Sequence, residues 1–356
     1  MNVLRAWFRR NFSNPQTVIL ALFLLGGFAI VLVMGRMLAP LLTAVVIAYL
    51  LEALVQVAQH RGMSRLPAVV LVFLLFIVVF LFLLFWLVPL LSQQVAQLAH
   101  DLPRHIDTGQ QLLMRLPEIY PQIFTSDQVH DIVVSLRKDL ANLGQDLLSL
   151  SLAWIPSLIA LAVYLILVPM LVFFFLKDKA KIIAWLASYL PQQRELAARV
   201  WVEVDRQIGN YIRGKFVEIL IIGGASYITF VVMGLNYAAL LGALVGLSVL
   251  IPYIGATVVT APVAMIAYLQ WGWNSEFAYL LLAYGIIQAL DGNVVVPLLF
   301  SEAVNLHPVA IIVAVLVFGG LWGFWGVFFA IPLATLVKAV LDAWPRTEQA
   351  VAAEGG

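Results

Sequence analysis

The chain has 356 residues, 63% of them hydrophobic and 11% charged, with a mean hydropathy of +1.01 and a formal net charge of +1. That composition is far from the usual soluble mix, in which about a quarter of residues are charged, so soluble and nucleic-acid-binding classes are excluded and an integral membrane protein is indicated. The absence of cysteine removes disulfides and thiolate metal sites.

A bilayer span needs about 20 apolar residues at about 1.5 Å rise each. Stretches of that length lie at 17–35, 37–57, 66–92, 152–176, 216–235 and 277–300, and two longer apolar runs lie at 238–270 and 308–340. Arg5, Arg9 and Arg10 precede the first stretch, which reads as a retained helix rather than a cleaved signal peptide and puts the N-terminus on the cytoplasmic side. Arg61 and Arg65 place the loop after the second stretch inside as well. Arg36 is expected to snorkel to the outer interface and Glu52 to lie toward the inner one. Residues 1–92 therefore read as N-terminal transmembrane helices.

Residues 93–151 carry four basic residues against seven acidic ones and are expected outside, as a helical segment. Within them Val129, Val133, Leu136, Leu140, Leu143 and Leu147 form a heptad seam. The seam suits either a homo-oligomer or packing within one subunit. His100, Asp101, His105 and Asp107 give no shared helical face for the two histidines, so they read as solvated surface and no metal or cofactor is expected. After the span at 152–176, residues 177–215 are rich in lysine and arginine and belong inside. There Leu196, Val200, Val204, Ile208 and Ile212 recur every fourth residue, the pattern of an amphipathic helix on the inner membrane surface near anionic lipid. Tyr211 to Lys215 anchors the entrance of the next span, with Arg213 a candidate gate. Glu218 pairs most naturally with Lys215 at i,i+3, less so with Arg213.

Between Lys215 and Lys338 there is no lysine or arginine, yet Glu218, Glu276, Asp291 and Glu302 remain. An unpaired aspartate at the centre of a membrane helix costs roughly 3 kcal/mol on insertion scales, so a carboxylate at that depth is a functional candidate. The two long runs would make continuous helices of about 50 Å against a hydrocarbon core of about 30 Å. Each is better read as a broken or re-entrant hairpin. The first breaks at Ile251-Pro252-Tyr253-Ile254-Gly255, and the second within Gly319-Gly320-Leu-Trp-Gly323-Phe-Trp-Gly326 or at Ile331-Pro332. Residues 216–342 then form a transport core of two inverted copies, each a span followed by a hairpin, with the site where the broken tips meet. Residues 343–356 form a cytoplasmic tail. The expected fold is an all-α polytopic membrane protein with about six full spans and two hairpins; the alternative is eight kinked spans, with Gly242 and Gly246 serving only close packing.

Pro169 through Phe175-Leu-Lys-Asp178, Tyr211-Ile-Arg-Gly-Lys215, Gly234 through Gly255, Asn293-Val-Val-Val-Pro297, His307-Pro308 and Gly319-Gly320 resemble the autoinducer-2 exporter family, also called PerM-like permeases. The resemblance runs over nearly the whole chain and implies a bacterial inner-membrane permease. It implies export of a small polar signalling metabolite or, in other members, sodium/proton antiport.

Those two functions need different sites. A metabolite calls for hydrogen-bonding groups around a cavity, such as Gln288, Asn293, Tyr253 and Ser248, whereas cation/proton exchange calls for a carboxylate, best supplied by Asp291. A membrane scaffold is the third reading, but it has no use for carboxylates at membrane depth. The expected partners are lipid, a small polar solute or a cation with a proton, and a second copy of the chain. No enzyme is expected, because intramembrane aspartyl proteolysis needs two facing aspartates and the C-terminal membrane region has one. Around Asp291 the sequence allows two roles: Gly292 lets the helix end and Asp291 caps its restart, or Asp291 binds a proton or cation with Gln288 and Asn293 as neutral partners.

Overall fold

The computed structural model describes residues 15–114, 117, 125, 127, 134–135, 158–189, 195–252, 254–300 and 306–343. Among these residues the regular structure is helix without strand. The helices are α1 (Pro15–His60), α2 (Arg65–Phe82), α3 (Val88–Met114), α4 (Leu158–Ser188), α5 (Glu195–Val232), α6 (Ala238–Ser248), α7 (Ile254–Trp271), α8 (Ser275–Leu290), α9 (Val296–Phe300), α10 (Pro308–Trp322), α11 (Phe324–Phe328) and α12 (Ala330–Ala343). Among the described residues five stretches are long and apolar enough to cross a membrane: Met37–His60, Arg65–Asp101, Trp201–Val232, Ile254–Trp271 and Ser275–Phe300. The chain is an all-α polytopic membrane protein. The heptad seam at 129–147 and the tail beyond Ala343 lie outside the described residues.

Three boundaries differ from the sequence expectation. The stretches 17–35 and 37–57 are one unbroken helix, α1, of 46 residues. A lone glycine costs a helix only about 1 kcal/mol and arginine is a good helix former, so Gly35-Arg36 ends nothing. The third span likewise does not stop at 92 but runs on as α3 to Met114. The inner amphipathic helix is the first half of α5, which continues through the next span for 38 residues without a break. The C-terminal end of its stripe meets protein: Ile212 is buried and Ile208 packs against the same cluster as Tyr49 and Leu50.

Two π turns, Leu83–Leu87 and Asp291–Val295, join α2 to α3 and α8 to α9. Each has proline two residues after it, Pro89 and Pro297. A proline ring clashes with the carbonyl four residues back and returns no N–H to it, and a wider turn just upstream relieves both problems without ending the helix.

Both long runs are broken at the expected places. In the first, α6 has 11 residues, about 16 Å, too short for a core of about 30 Å. Its two ends are tied together: Gln270 Nε2 donates to the Gly234 carbonyl at 2.7 Å, and the Asn236 N–H donates to Gln270 Oε1 at 2.8 Å. The run therefore returns to the level where it starts, as a hairpin rather than one kinked crossing. In the second, α10 turns at Gly323, whose φ of +60° suits glycine, and α11 leads into α12. Pro332 sits in the first turn of α12, where proline is tolerated, so the break lies at the glycines. The tips close alike. A Cβ on Gly255 would stand 1.7 Å from the Ser248 carbonyl oxygen, and one on Gly326 would stand 1.8 Å from that of Phe318.

Packing divides the molecule in two. Ala44, Val55, Val69 and Val172 centre a core of α1, α2 and α4. Phe230, Leu241, Val263 and Leu280 centre another of α5 to α8, where Gly246 lets α6 approach Gly223 of α5 backbone to backbone. Where the tips meet, Leu250 shares a buried cluster with Phe328 and Ile331, and Ile251 packs against Ala314, Val315 and Ala330.

Candidate functional site

Asp291 is buried at the first position of the π turn after α8. Its backbone is helical and the chain passes through Gly292 without stopping, so the helix does not end there and Asp291 does not cap a restart. Glycine permits a break but does not compel one, and the π turn already accommodates Pro297. Asp291 Oδ1 is buried and accepts no hydrogen bond from the described residues.

The cation that the flanking sequence lacks comes from α5. Lys215 is 4% exposed, and its Nζ stands 2.8 Å from Glu218 Oε2, itself on a residue 2% exposed. Asp291 lies within electrostatic reach of both. Lys215 also donates to the Val249 carbonyl at 2.8 Å, at the tip of the first hairpin, and sits 5.1 Å from the Phe300 ring centroid. Phe300 is seated against Gly214, where a Cβ would stand 2.7 Å from the ring. Lys215 and Glu218 form a close, buried ion pair. One buried amine thus pairs with one buried carboxylate, lies within electrostatic reach of a second, and holds a hairpin tip.

Further orphaned polar atoms lie nearby in the fold. Tyr211, Lys215, Glu218 and Ser226 share one face of α5 by their spacing. The Tyr211 hydroxyl, Ser226 Oγ and Gln288 Nε2 are buried with no hydrogen-bond partner among the described residues. Leaving such a group unsatisfied costs about 1–3 kcal/mol, so this is a surface made to meet something polar.

The hairpin that presents Val249 is fixed from outside the core by α3. Tyr237, with a φ of 58°, donates its hydroxyl to Asp101 Oδ2 at 2.7 Å, and the Leu240 N–H donates to Gln94 Oε1 at 2.8 Å. A left-handed tyrosine is strained and persists only where its surroundings hold it. Burial first, then the bond to and charge of Asp101, push the Tyr237 phenol up to about 12, so it stays a donor across physiological pH.

The predicted site residues separate. Gln288, Glu218 and Asp291 belong to the buried group. Asn293 does not: it is exposed and its Nδ2 donates to the Ala289 carbonyl at 2.8 Å, because the helix continues and turns it outward. Pro297 is exposed on α9, and Pro252 is half-buried at the first tip. Tyr253 lies outside the described residues. Gly255 and Gly323 shape the two tips. Gly319 packs on Val327, whereas Gly320 faces open space. Ser248 spends its hydroxyl on the Val245 carbonyl at 2.7 Å. Arg213 donates to Asn210 Oδ1 at 2.7 Å on another side of α5. Lys215 was legible as an anchor and as the i,i+3 partner of Glu218, and the pair forms at 2.8 Å; its reach toward Asp291 and the Val249 carbonyl was not legible. Glu52 pairs with Arg65 at 3.3 Å, a partner its sequence neighbourhood does not suggest.

Residues 18–346 match the family model described as AI-2E family transporter. The chain is 46% identical over 345 residues to the Escherichia coli (strain K12) protein named "Putative permease PerM", covering 97% of this chain and 98% of that one. It is 28% identical over 307 residues to "Putative transport protein YueF" of Bacillus subtilis (strain 168), covering 84% and 82%.

Proposed function

Because this chain belongs to the AI-2E transporter family, we propose that it is a secondary transporter of the bacterial inner membrane, coupled through the Lys215–Glu218–Asp291 triad. The observation that carries this reading is the charge count of the triad. One amine faces two carboxylates, all buried, at the tip of a broken hairpin. An uncompensated buried charge costs several kcal/mol, so the triad takes up a proton or a small cation to reach neutrality. Exchange of one for the other alters what Lys215 attracts, and Lys215 holds the Val249 carbonyl of the moving element. A site of this kind at the meeting of two hairpins suits alternating access between inverted halves.

The cargo we propose is a small polar solute, such as the signalling metabolite that the resemblance to the exporter family implies. A second reading, cation/proton exchange with the cation itself as cargo, is favoured by the loss of neutral groups from the site. Asn293 and Ser248 are bonded to their own helices, and the buried Asp291 Oδ1 remains without a hydrogen-bond partner among the described residues. Both readings place the termini inside. We also propose a homo-oligomer through the seam at 129–147, so that Leu136→Asp with Leu140→Asp lowers the mass measured by light scattering.

Proteoliposomes loaded with a pH-sensitive dye test the main proposal, pulsed with autoinducer-2 in one arm and sodium in the other. Asp291→Asn and Glu218→Gln should each insert normally and lose gradient-coupled flux by at least tenfold in whichever arm the wild type responds. Wild-type proton movement in both variants would discard the triad as the coupling site.

A further inference from the structure

On another side of α5, helices α1, α4 and α5 line a half-open cavity of about 350 Å³. Two cations, Lys179 and Arg213, line it beside Tyr49. Lys179 Nζ lies 5.9 Å from the ring centroid. The Arg213 guanidinium lies over Gly209, where a Cβ would stand 3.4 Å from Arg213 Nη2 and 3.5 Å from Tyr49 Cδ1. A non-helical Asp178 (φ −107°, ψ 18°) kinks α4 immediately before Lys179.

The other charges of the cavity are already engaged. The Tyr49 hydroxyl donates to Asp205, Glu52 pairs with Arg65 at 3.3 Å, and Arg206 pairs with Glu203 at 2.9 Å. Counted with these partners, four cations face three carboxylates. Among the described residues, neither Lys179 nor Arg213 is in an ion pair. At the rim, Trp201 and Val202 are exposed, Trp201 at 56%. The site therefore offers a point charge, a guanidinium fork and an adjoining apolar step.

We propose that this cavity binds a phosphate ester, its phosphate between Lys179 and Arg213 and its apolar part against Trp201 and Val202. Lysine and arginine together are the usual pair for phosphate, arginine through its planar fork. Basic pockets between transmembrane helices take lipid headgroups, and tryptophan favours the membrane interface. A carboxylate alone would use the fork but has no need of the second cation or the apolar rim. The phosphate has two sources, the headgroup of an anionic phospholipid or a soluble phosphate ester. The inference does not depend on the coupling role of the triad.

The test uses the full chain in nanodiscs. In one arm the discs contain phosphatidylglycerol in phosphatidylcholine, and native mass spectrometry counts the phosphatidylglycerol retained on extraction. In the other the discs are phosphatidylcholine alone, titrated calorimetrically with glycerol 3-phosphate. Wild type should retain ligand in one arm, which identifies the source. Lys179→Gln with Arg213→Gln should weaken it at least tenfold, while Lys181→Gln, which matches the charge change of Lys179→Gln on the same helix outside the cavity, should leave it intact. Lys179→Gln alone should weaken binding about threefold or more, and serves if the double variant does not fold. No ligand in either arm, or equal losses in Lys181→Gln, overturns the proposal.

Discussion

Arg213 and Lys215 stand two residues apart on α5, about 200° apart around its axis, in opposite electrostatic surroundings. Lys215 is buried with two carboxylates against a hairpin tip of the C-terminal half. Arg213 opens into a cavity shared with α1 and α4, where cations outnumber acids. A single continuous helix thus carries an acid-rich buried site on one side and a base-rich open site on the other. The contrast teaches that the same residue class, a cation at the start of a span, has a role set by what the other helices bring to its face.

The sharpest break in that comparison is topological, since labelling is all or none. Cysteine is absent from the native chain, so Asn274→Cys, at the cap of α8, and Gln56→Cys, at the cavity, can each be labelled cleanly. The proposed orientation puts Asn274→Cys in reach of an impermeant maleimide only from outside and Gln56→Cys only from inside. Labelling of both from one side collapses the arrangement of two sites on opposing levels.

The next largest effect comes from the buried cation. Lys215→Met leaves the buried Glu218 carboxylate without its partner, within electrostatic reach of Asp291, and should cost about 3–5 kcal/mol, seen as a marked fall in Tm in detergent. Adding Glu218→Gln and Asp291→Asn removes the stranded charge and should restore most of that loss. A single variant as stable as wild type would show that the triad is hydrated rather than sealed.

How much of this was legible beforehand differs between the two sites for a physical reason. The hairpin breaks were readable because glycine and proline act locally, and Gly255, Gly323 and Gly326 do in space what their type announces in sequence. Asp291 was readable as a candidate because an apolar context makes any acid conspicuous. Its partner was not, since Lys215 lies 76 positions away and only the packing of α8 on α5 brings them together. Asn293 misled because a π turn, unlike a break, shifts the helical phase while keeping the chain helical, and so points that amide outward. The cavity at Arg213 was invisible altogether: Tyr49, Lys179 and Asp205 belong to three elements with no shared motif.

A smaller effect should follow from loosening the first hairpin from α3. Tyr237→Phe removes a hydrogen bond to a charged acceptor and leaves the left-handed backbone at 237 with less to hold it. About 1–2 kcal/mol is at stake, so amide exchange in α6 should quicken by about tenfold while α1 and α2 are unchanged. Uniform quickening across the protein would mean the bond supports global stability rather than the hairpin.

The smallest effect belongs to Arg213 and completes the contrast with its neighbour. Arg213→Met removes the same unit of charge two positions from Lys215. Here, however, the guanidinium is half-buried, bonded to a neutral amide, and borders a cavity open to water. Losing it strands no buried carboxylate among the described residues, because Asp205 keeps the Tyr49 hydroxyl and Glu52 keeps Arg65. Partly solvated charges of this kind contribute about 0–1 kcal/mol, so Tm should move by only a small fraction of the shift in Lys215→Met. The two variants measured side by side isolate environment from charge. If Arg213→Met were as destabilising as Lys215→Met, the cavity would be a closed part of the core, and its cations would be structural rather than available to a ligand.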